Sequence, residues 1–163
     1  MKTRTNSMRV LESLRVAYEA FEFSSEVRSA DEAAKAMGAP IHQVFKTLVV
    51  LRERGRPLVV MVPGDRALDL RLLAQASGDK KLHMASHSEA ETLTGLEVGG
   101  ISAIALLNKG FDVFADESLA SLPNVYVSAG MRGVNLRLKP ADLVRVTRAR
   151  LAPVSAALPV PTL

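Results

Sequence analysis

At 163 residues, 48% of them hydrophobic, the chain has the size and composition of one globular domain with a sizeable core, not of a disordered segment. It contains no cysteine, which excludes disulfides, thiolate zinc sites, iron–sulfur clusters and a cysteine nucleophile. Lys and Arg exceed Asp and Glu by 21 to 17, and the resulting +4 permits a nucleic-acid or phosphate partner without demanding one. No apolar run approaches the roughly 20 residues that span a bilayer, and the polar start MKTRTNSMR lacks the apolar core of a secretory signal. A cytoplasmic protein with no membrane partner is expected.

Asn6 or Ser7 is placed to cap a first helix carrying Val10, Leu11, Leu14 and Ala17 at helical spacing, followed by extended Phe21-Glu22-Phe23. Ser29-Ala30-Asp31-Glu32 is a capping box that opens a short helix ending at Gly38. Strands are predicted over Phe45 to Leu51 and Leu58 to Val62, joined through Arg52-Glu53-Arg54-Gly55-Arg56-Pro57 as a hairpin with a basic tip. Asp69 caps a helix through Leu70, Leu73 and Ala74 that ends at Gly78; Leu82 to Ala85 reads as a strand, and Ser86 with Glu89 as a second capping box before Gly95. Short strands fit Ile101 to Leu106, Asp112 to Ala115, Val125 to Ser128 and Val134 to Leu138, and Pro140 starts a last helix with Leu143, Val144 and Val146. Helices and strands interleave without a regular βαβ rhythm, so a mixed sheet in an α/β (α+β mixed) domain is expected. That domain is assigned to residues 1–151, and the proline-punctuated 152–163 are read as a loosely ordered tail.

The chemistry-bearing feature is a lysine inside an apolar strand, Val44-Phe45-Lys46-Thr47-Leu48-Val49-Val50. Strand alternation sends Lys46 where Val44, Leu48 and Val50 point, which is inward. An ammonium desolvated there without a partner costs several kcal/mol or loses its proton, so it calls for a carboxylate, a ligand phosphate or a developing oxyanion. The alternative is an edge-strand lysine that deters aggregation. Two glycine-rich turns accompany it: Gly99-Gly100 before Ile101-Ser102, and Ser128-Ala129-Gly130-Met131-Arg132-Gly133. Glycines admit a ligand close to the backbone, and converging amides bind an anion or an oxyanion; each pair taken singly is ordinary turn chemistry. Phosphate-loop, dinucleotide, nucleophile-elbow and His-Glu-x-x-His motifs are absent. His83 and His87 share no single helix, because Ser86 caps one between them, and His42 has no serine partner marked nearby, so neither a metal site nor a cofactor is expected.

The segments VFKTLVV, TGLEVGGISAIAL, DVFADESL and NVYVSAGMRGVNLRL, in that order, resemble the YbaK/ProX-type aminoacyl-tRNA editing domains, free-standing relatives of the editing insertion of bacterial prolyl-tRNA synthetase. The resemblance runs from about Val10 to Val146. It implies a mixed, partly barrel-like sheet with helices around it and a cleft for the aminoacylated 3′ end of tRNA. It also implies that Lys46, Gly100 and Ser102 are catalytic, and that Phe23, Phe45, Thr47, Gly99, Ile101, Ala103, Ser128, Gly130 and Asn135 bind substrate, with Tyr126 on the late strand beside them. The implied reaction is hydrolysis of the ester of a mischarged tRNA of the Cys-tRNA(Pro) or Ala-tRNA(Pro) kind, by positioned water or, for cysteine, by the substrate's own thiol. Three positions depart from the family pattern: Ala103 replaces a common proline, Asn135 a common aspartate and Phe23 a common tyrosine, which removes two polar handles from the amino-acid pocket. A catalytically silent module that binds a tRNA end, a nucleotide or a synthetase is the alternative, and a hydrolase of another small ester or an adenylate is a third reading. The candidate contacts to the tRNA body are Arg52, Arg54, Arg56, Lys80, Lys81 and Arg132, with Arg145, Arg148 and Arg150 as further basic residues. An aminoacyl-tRNA synthetase is an expected second partner.

Overall fold

In the computed structural model, residues 3–159 are described. Helix α1 (Asn6–Ser13) is capped by Thr5, one residue before the expected pair, and β1 (Glu19–Glu22) follows. Helix α2 (Ala30–Met37) starts at Ser29, whose hydroxyl accepts from the Glu32 amide, and stops at left-handed Gly38. The long hairpin pairs β2 (Phe45–Arg52) with β3 (Leu58–Pro63), and β4 (Arg66–Leu68) leads to α3 (Leu70–Ser77), capped by Asp69. Next come β5 (Leu82–Met84), then α4 (His87–Thr94) behind a complete Ser86–Glu89 capping box, then β6 (Asp112–Asp116). The chain continues through β7 (Val125–Ser128), β8 (Val134–Leu138), α5 (Pro140–Thr147), β9 (Arg150–Ala152) and β10 (Ser155–Ala157).

These strands form a mixed five-stranded sheet in the order β5-β2-β3-β6-β9, an antiparallel three-stranded sheet β1-β8-β7, and the pair β10-β4. The β2–β3 and β2–β5 pairings are antiparallel, whereas β3–β6 and β6–β9 are parallel. A parallel bridge between Val44 and Tyr126 joins the two larger sheets at the start of β2. This is the expected mixed α/β architecture; among the described residues the sheets meet at that corner without closing a barrel.

The central strand β3 is buried on both faces, so its continuous run Leu58-Val59-Val60-Met61-Val62 serves two cores. Val59 and Met61 join Phe45 and Val49 in a core shared with α1, α5 and the β7–β8 pair. Val60 and Val62 face Val50, Leu73, Phe114 and Val154 on the other side. A third cluster of Ala34, Val44 and Tyr126 seats α2 against the corner.

Two expectations are corrected. Residues 101–106 form turns and not a strand, since the Ala105 amide bonds to Ser102 Oγ and the Leu107 amide returns to the Ile104 carbonyl. Their apolar side chains are nonetheless core, with Ile104 fully buried. The segment beginning at 152 is also not loose over its described part: Val154 is fully buried and β10 pairs with β4 in the register Ser155↔Leu68 to Ala157↔Arg66. The Asp69 amide donates to the Val154 carbonyl at 2.8 Å, and Asp116 accepts from the Val154 amide. Short strands flanked by prolines are stabilised here by tertiary pairing, which their composition does not signal. Residues 160–163 of the expected tail lie outside the described part.

Candidate active site

A cleft of about 340 Å³ opens where the two larger sheets meet. Strand β2 supplies Phe45, Lys46, Thr47 and Leu48; the start of α2 supplies Ser29, Ala30, Asp31 and Ala33. Phe23, Val27 and Arg28 border it on the preceding loop, Val98, Gly99 and Ile101 on the glycine-rich turn, and Ser128, Gly133 and Asn135 on the β7–β8 pair.

Lys46 pairs across the hairpin with Val62 and is half-buried, between Val44 and Leu48 on its own face. Burial pushes its ammonium below the ordinary lysine value of 10.5, and the Asp65 carboxylate in the β3–β4 turn partly offsets this. Among the described residues Lys46 makes no ion pair. Strand β5 pairs with β2 only over Val50–Arg52, so Lys46 has a strand partner on the β3 side alone, and what separates it from a solvated edge lysine is its half-burial in the cleft. Thr47 Oγ1 is buried without a hydrogen-bond partner on the same cleft wall.

The glycine-rich turn is held in two ways. Gly99 adopts φ +93°, and the Gly100 amide is engaged by the Glu97 carbonyl at 2.8 Å. The amides of Gly99 and Ile101 donate to no protein acceptor among the described residues, and both residues line the cleft. The neighbouring strands carry Ser128 opposite Asn135, so a neutral amide and a hydroxyl stand together on the far wall. No carboxylate replaces Asn135 there, while Arg28 adds an exposed cation at the mouth.

Eight of the site residues expected from sequence therefore gather in one cleft: Phe23, Phe45, Lys46, Thr47, Gly99, Ile101, Ser128 and Asn135. Four lie elsewhere. Ser102 is 1% exposed and its hydroxyl is spent on Ser7 Oγ at 2.8 Å and on the Ala105 amide. Gly100 backs onto protein, since a Cβ there would meet the Arg132 nitrogen at 2.7 Å and the Met131 carbonyl carbon at 2.9 Å. Ala103 is core, and Gly130 borders a neighbouring concavity. Arg28 and Gly64 belong to the cleft without having been singled out from sequence. The signal for Gly64 is weak in sequence but sharp in space: a Cβ would stand 2.8 Å from both Ala30 Cβ and Ile41 Cδ1.

The basic candidates divide as well. Arg52 is 10% exposed and locked between Asp79 and Asp112, at 2.7 Å from each, so it holds the hairpin base. Arg132 is tied to the Ser25 carbonyl at 2.7 Å and loosely to Glu97 at 3.6 Å. Arg54, Arg56, Lys80 and Lys81 are exposed. They sit at the far end of β2, and six residues at ~3.3 Å each put that end about 20 Å from Lys46. Arg150 stacks over Phe114 at 4.3 Å, a packing role. No group of three or more His, Asp or Glu able to hold a metal occurs among the described residues, with His83 on β5 and His87 opening α4.

A sheet corner that sets a partly desolvated lysine in one cleft with two residues whose amides are unengaged among the described residues suits binding of an oxyanion or a polarised carbonyl. Residues 24–146 match the family model described as "Aminoacyl-tRNA editing domain". A protein of Enterococcus faecalis named "Putative Cys-tRNA(Pro)/Cys-tRNA(Cys) deacylase EbsC" is 35% identical over 154 residues, 93% of each chain. A proline–tRNA ligase of Pelotomaculum thermopropionicum is 30% identical over 67% of this chain, which corresponds to 19% of the ligase. A solved structure described as "a putative trans-editing enzyme for prolyl tRNA synthetase" superposes with a TM-score of 0.82 at 28% identity, covering 96% of this chain and all of the other. Fold and family define the class, an aminoacyl-tRNA deacylase. The chain belongs to the aminoacyl-tRNA editing domain family.

Proposed function

We propose that the protein acts in trans, in the cytoplasm, on the 3′ end of a mischarged tRNA of the Cys-tRNA(Pro) or Ala-tRNA(Pro) kind. The observation that carries this reading is the half-buried Lys46, without an ion pair among the described residues, in the same cleft as Gly99 and Ile101, whose amides are unengaged among those residues. Water attacks the ester carbonyl carbon, the carbonyl oxygen gains negative charge, and donors already in place stabilise that charge. The bond to the ribose oxygen then breaks, the water's proton passes to that oxygen, and free amino acid and uncharged tRNA leave.

Phe23, Phe45 and Ile101 enclose the amino-acid side chain, and Thr47, Ser128 and Asn135 offer neutral hydrogen-bonding groups. With an amide at 135 the cleft's far wall favours a small, uncharged side chain. Exposed Arg54, Arg56, Lys80 and Lys81 meet the phosphate backbone, which makes binding salt-dependent and largely insensitive to sequence. A synthetase is a further candidate partner through the family's relation to proline–tRNA ligase.

The test is deacylation of prolyl-, cysteinyl-, alanyl- and seryl-tRNAs by the purified protein, with Lys46→Ala as control. Lysine-dependent release of one amino acid supports the reading and names the substrate. A folded protein that releases none of them rejects it and favours a silent binding module.

A further inference from the structure

Beside the cleft, separated from it by Gly99, lies a second concavity of about 480 Å³ lined by Ser25, Gly95, Leu96, Glu97, Gly130, Met131 and Arg132. Arg132 forms the partition: its side chain lies against Gly99, where a Cβ would stand 3.4 Å from Arg132 Cγ. The guanidinium is incompletely used. Its Nη2–H donates to the Ser25 carbonyl, Nη1 is only 3.6 Å from the Glu97 carboxylate, and the buried Nε–H has no acceptor among the described residues. Met131 is 47% exposed on the rim and offers apolar surface there.

We propose that this concavity is the subsite for the nucleobase preceding the esterified nucleotide, and that it selects cytosine. The inference rests on the deacylase reading above. A mixed pair of an exposed carboxylate and an unsatisfied guanidinium does not suit a phosphate, which Glu97 would repel. It suits a base edge that sets an amino donor beside two acceptors, which cytosine has and adenine, with a single acceptor beside its amino group, does not. Cytosine presents that edge: its exocyclic amino group donates to Glu97, and its O2 and N3 accept from Arg132. Uracil reverses the pattern, setting a carbonyl against the carboxylate and an N–H against the guanidinium. Met131 and Leu96 supply apolar surface for the ring, and unstacked bases are held in this way by side chains flanking a single-stranded end. Continuity with the cleft sets the order of occupation. In this proposal the ester and its terminal adenosine occupy the Lys46–Gly99 cleft, and the preceding residue, a cytidine in tRNA 3′ ends, crosses Gly99 to the Arg132 side.

The experiment compares kcat/KM for cysteinyl and alanyl 3′-esters of adenosine, of the dinucleotide CpA and of UpA, using the full-length protein. The CpA ester is expected to exceed the UpA ester by about tenfold. In Arg132→Ala and in Glu97→Ala that ratio should collapse toward one, with a loss at least fivefold larger for the CpA ester than for the adenosine ester. Two variants are used because Arg132 also anchors Ser25, whereas Glu97 is exposed and makes no other side-chain hydrogen bond among the described residues. Equal rates for CpA and UpA esters in the native protein, or a ratio preserved in both variants, overturns the subsite while leaving the deacylase reading in place. Failure of the native protein to hydrolyse any ester or any charged tRNA removes both.

Discussion

Lys46 joins strand, cleft and proposed chemistry at a single side chain. Removal of one preorganised donor to a developing oxyanion costs about 10²–10³ in rate, so Lys46→Ala should lower kcat by that order while thermal unfolding changes little. An equal kcat in a folded variant would remove Lys46 from the mechanism. The pH dependence follows from burial. Because burial lowers the ammonium's pKa, enzymatic hydrolysis that needs the charged form should fall on an alkaline limb centred below 10.5, after subtraction of spontaneous ester hydrolysis. Lys46→Ala should abolish that limb. Lys46 was legible in sequence because a lysine interrupting a valine-rich strand is anomalous by itself. Its exposure was not, since β2 alternation predicts full burial with Val44 and Val50, whereas the corner of two sheets leaves an opening there.

At the scale of elements, the glycines that matter are those pressed against other backbone. Gly64 lets α2 and the 3-10 turn at Ile41–Gln43 close over β2, with its amide 2.7 Å from the Val44 carbonyl. Gly64→Ala should cost about 1–3 kcal/mol through overpacking and raise KM by spreading the cleft, read by denaturant unfolding and kinetics together. A variant with native stability and native KM would show that α2 yields without consequence. Gly100→Ala meets the Met131–Arg132 main chain instead, so it should destabilise the turn and depress activity indirectly. Capping boxes and αL glycines made α2, α3 and α4 readable, since their signals lie within one turn of chain. Residues 101–106 misled because a short apolar run in a buried turn has the same composition as a short buried strand.

For the molecule as a whole, the C-terminal strand closes the second core. Asp116 ends β6 and is buried. Burial pushes its carboxyl up, yet the Ser118 and Val154 amides donate to it and hold it below the usual carboxylate range. A depressed folded value means this contribution is present above the unfolded pKa near 3.8 and is lost as pH falls through the folded one. Deleting residues 153–163 exposes the pocket of Val154 and unpairs β4 and Asp116. Loss of a buried valine alone is worth about 1.5–3 kcal/mol, so a melting temperature lower by roughly 5–10 °C is expected. A truncated protein that melts at the native temperature would show that β10 adds nothing.

From sequence alone, the helices with local caps, the β2–β3 hairpin, the family resemblance and Lys46 could all be determined, because each rests on neighbours in the chain or on an ordered run of segments. Tertiary structure alone decided what the glycines and charges face. Ser102 and Gly100 turned toward Ser7 and Arg132, Arg52 became an ion-paired strut, and the tail became a strand. These outcomes depend on contacts between residues far apart in the chain, where direction and desolvation, not residue type, determine which polar group is free to meet a substrate.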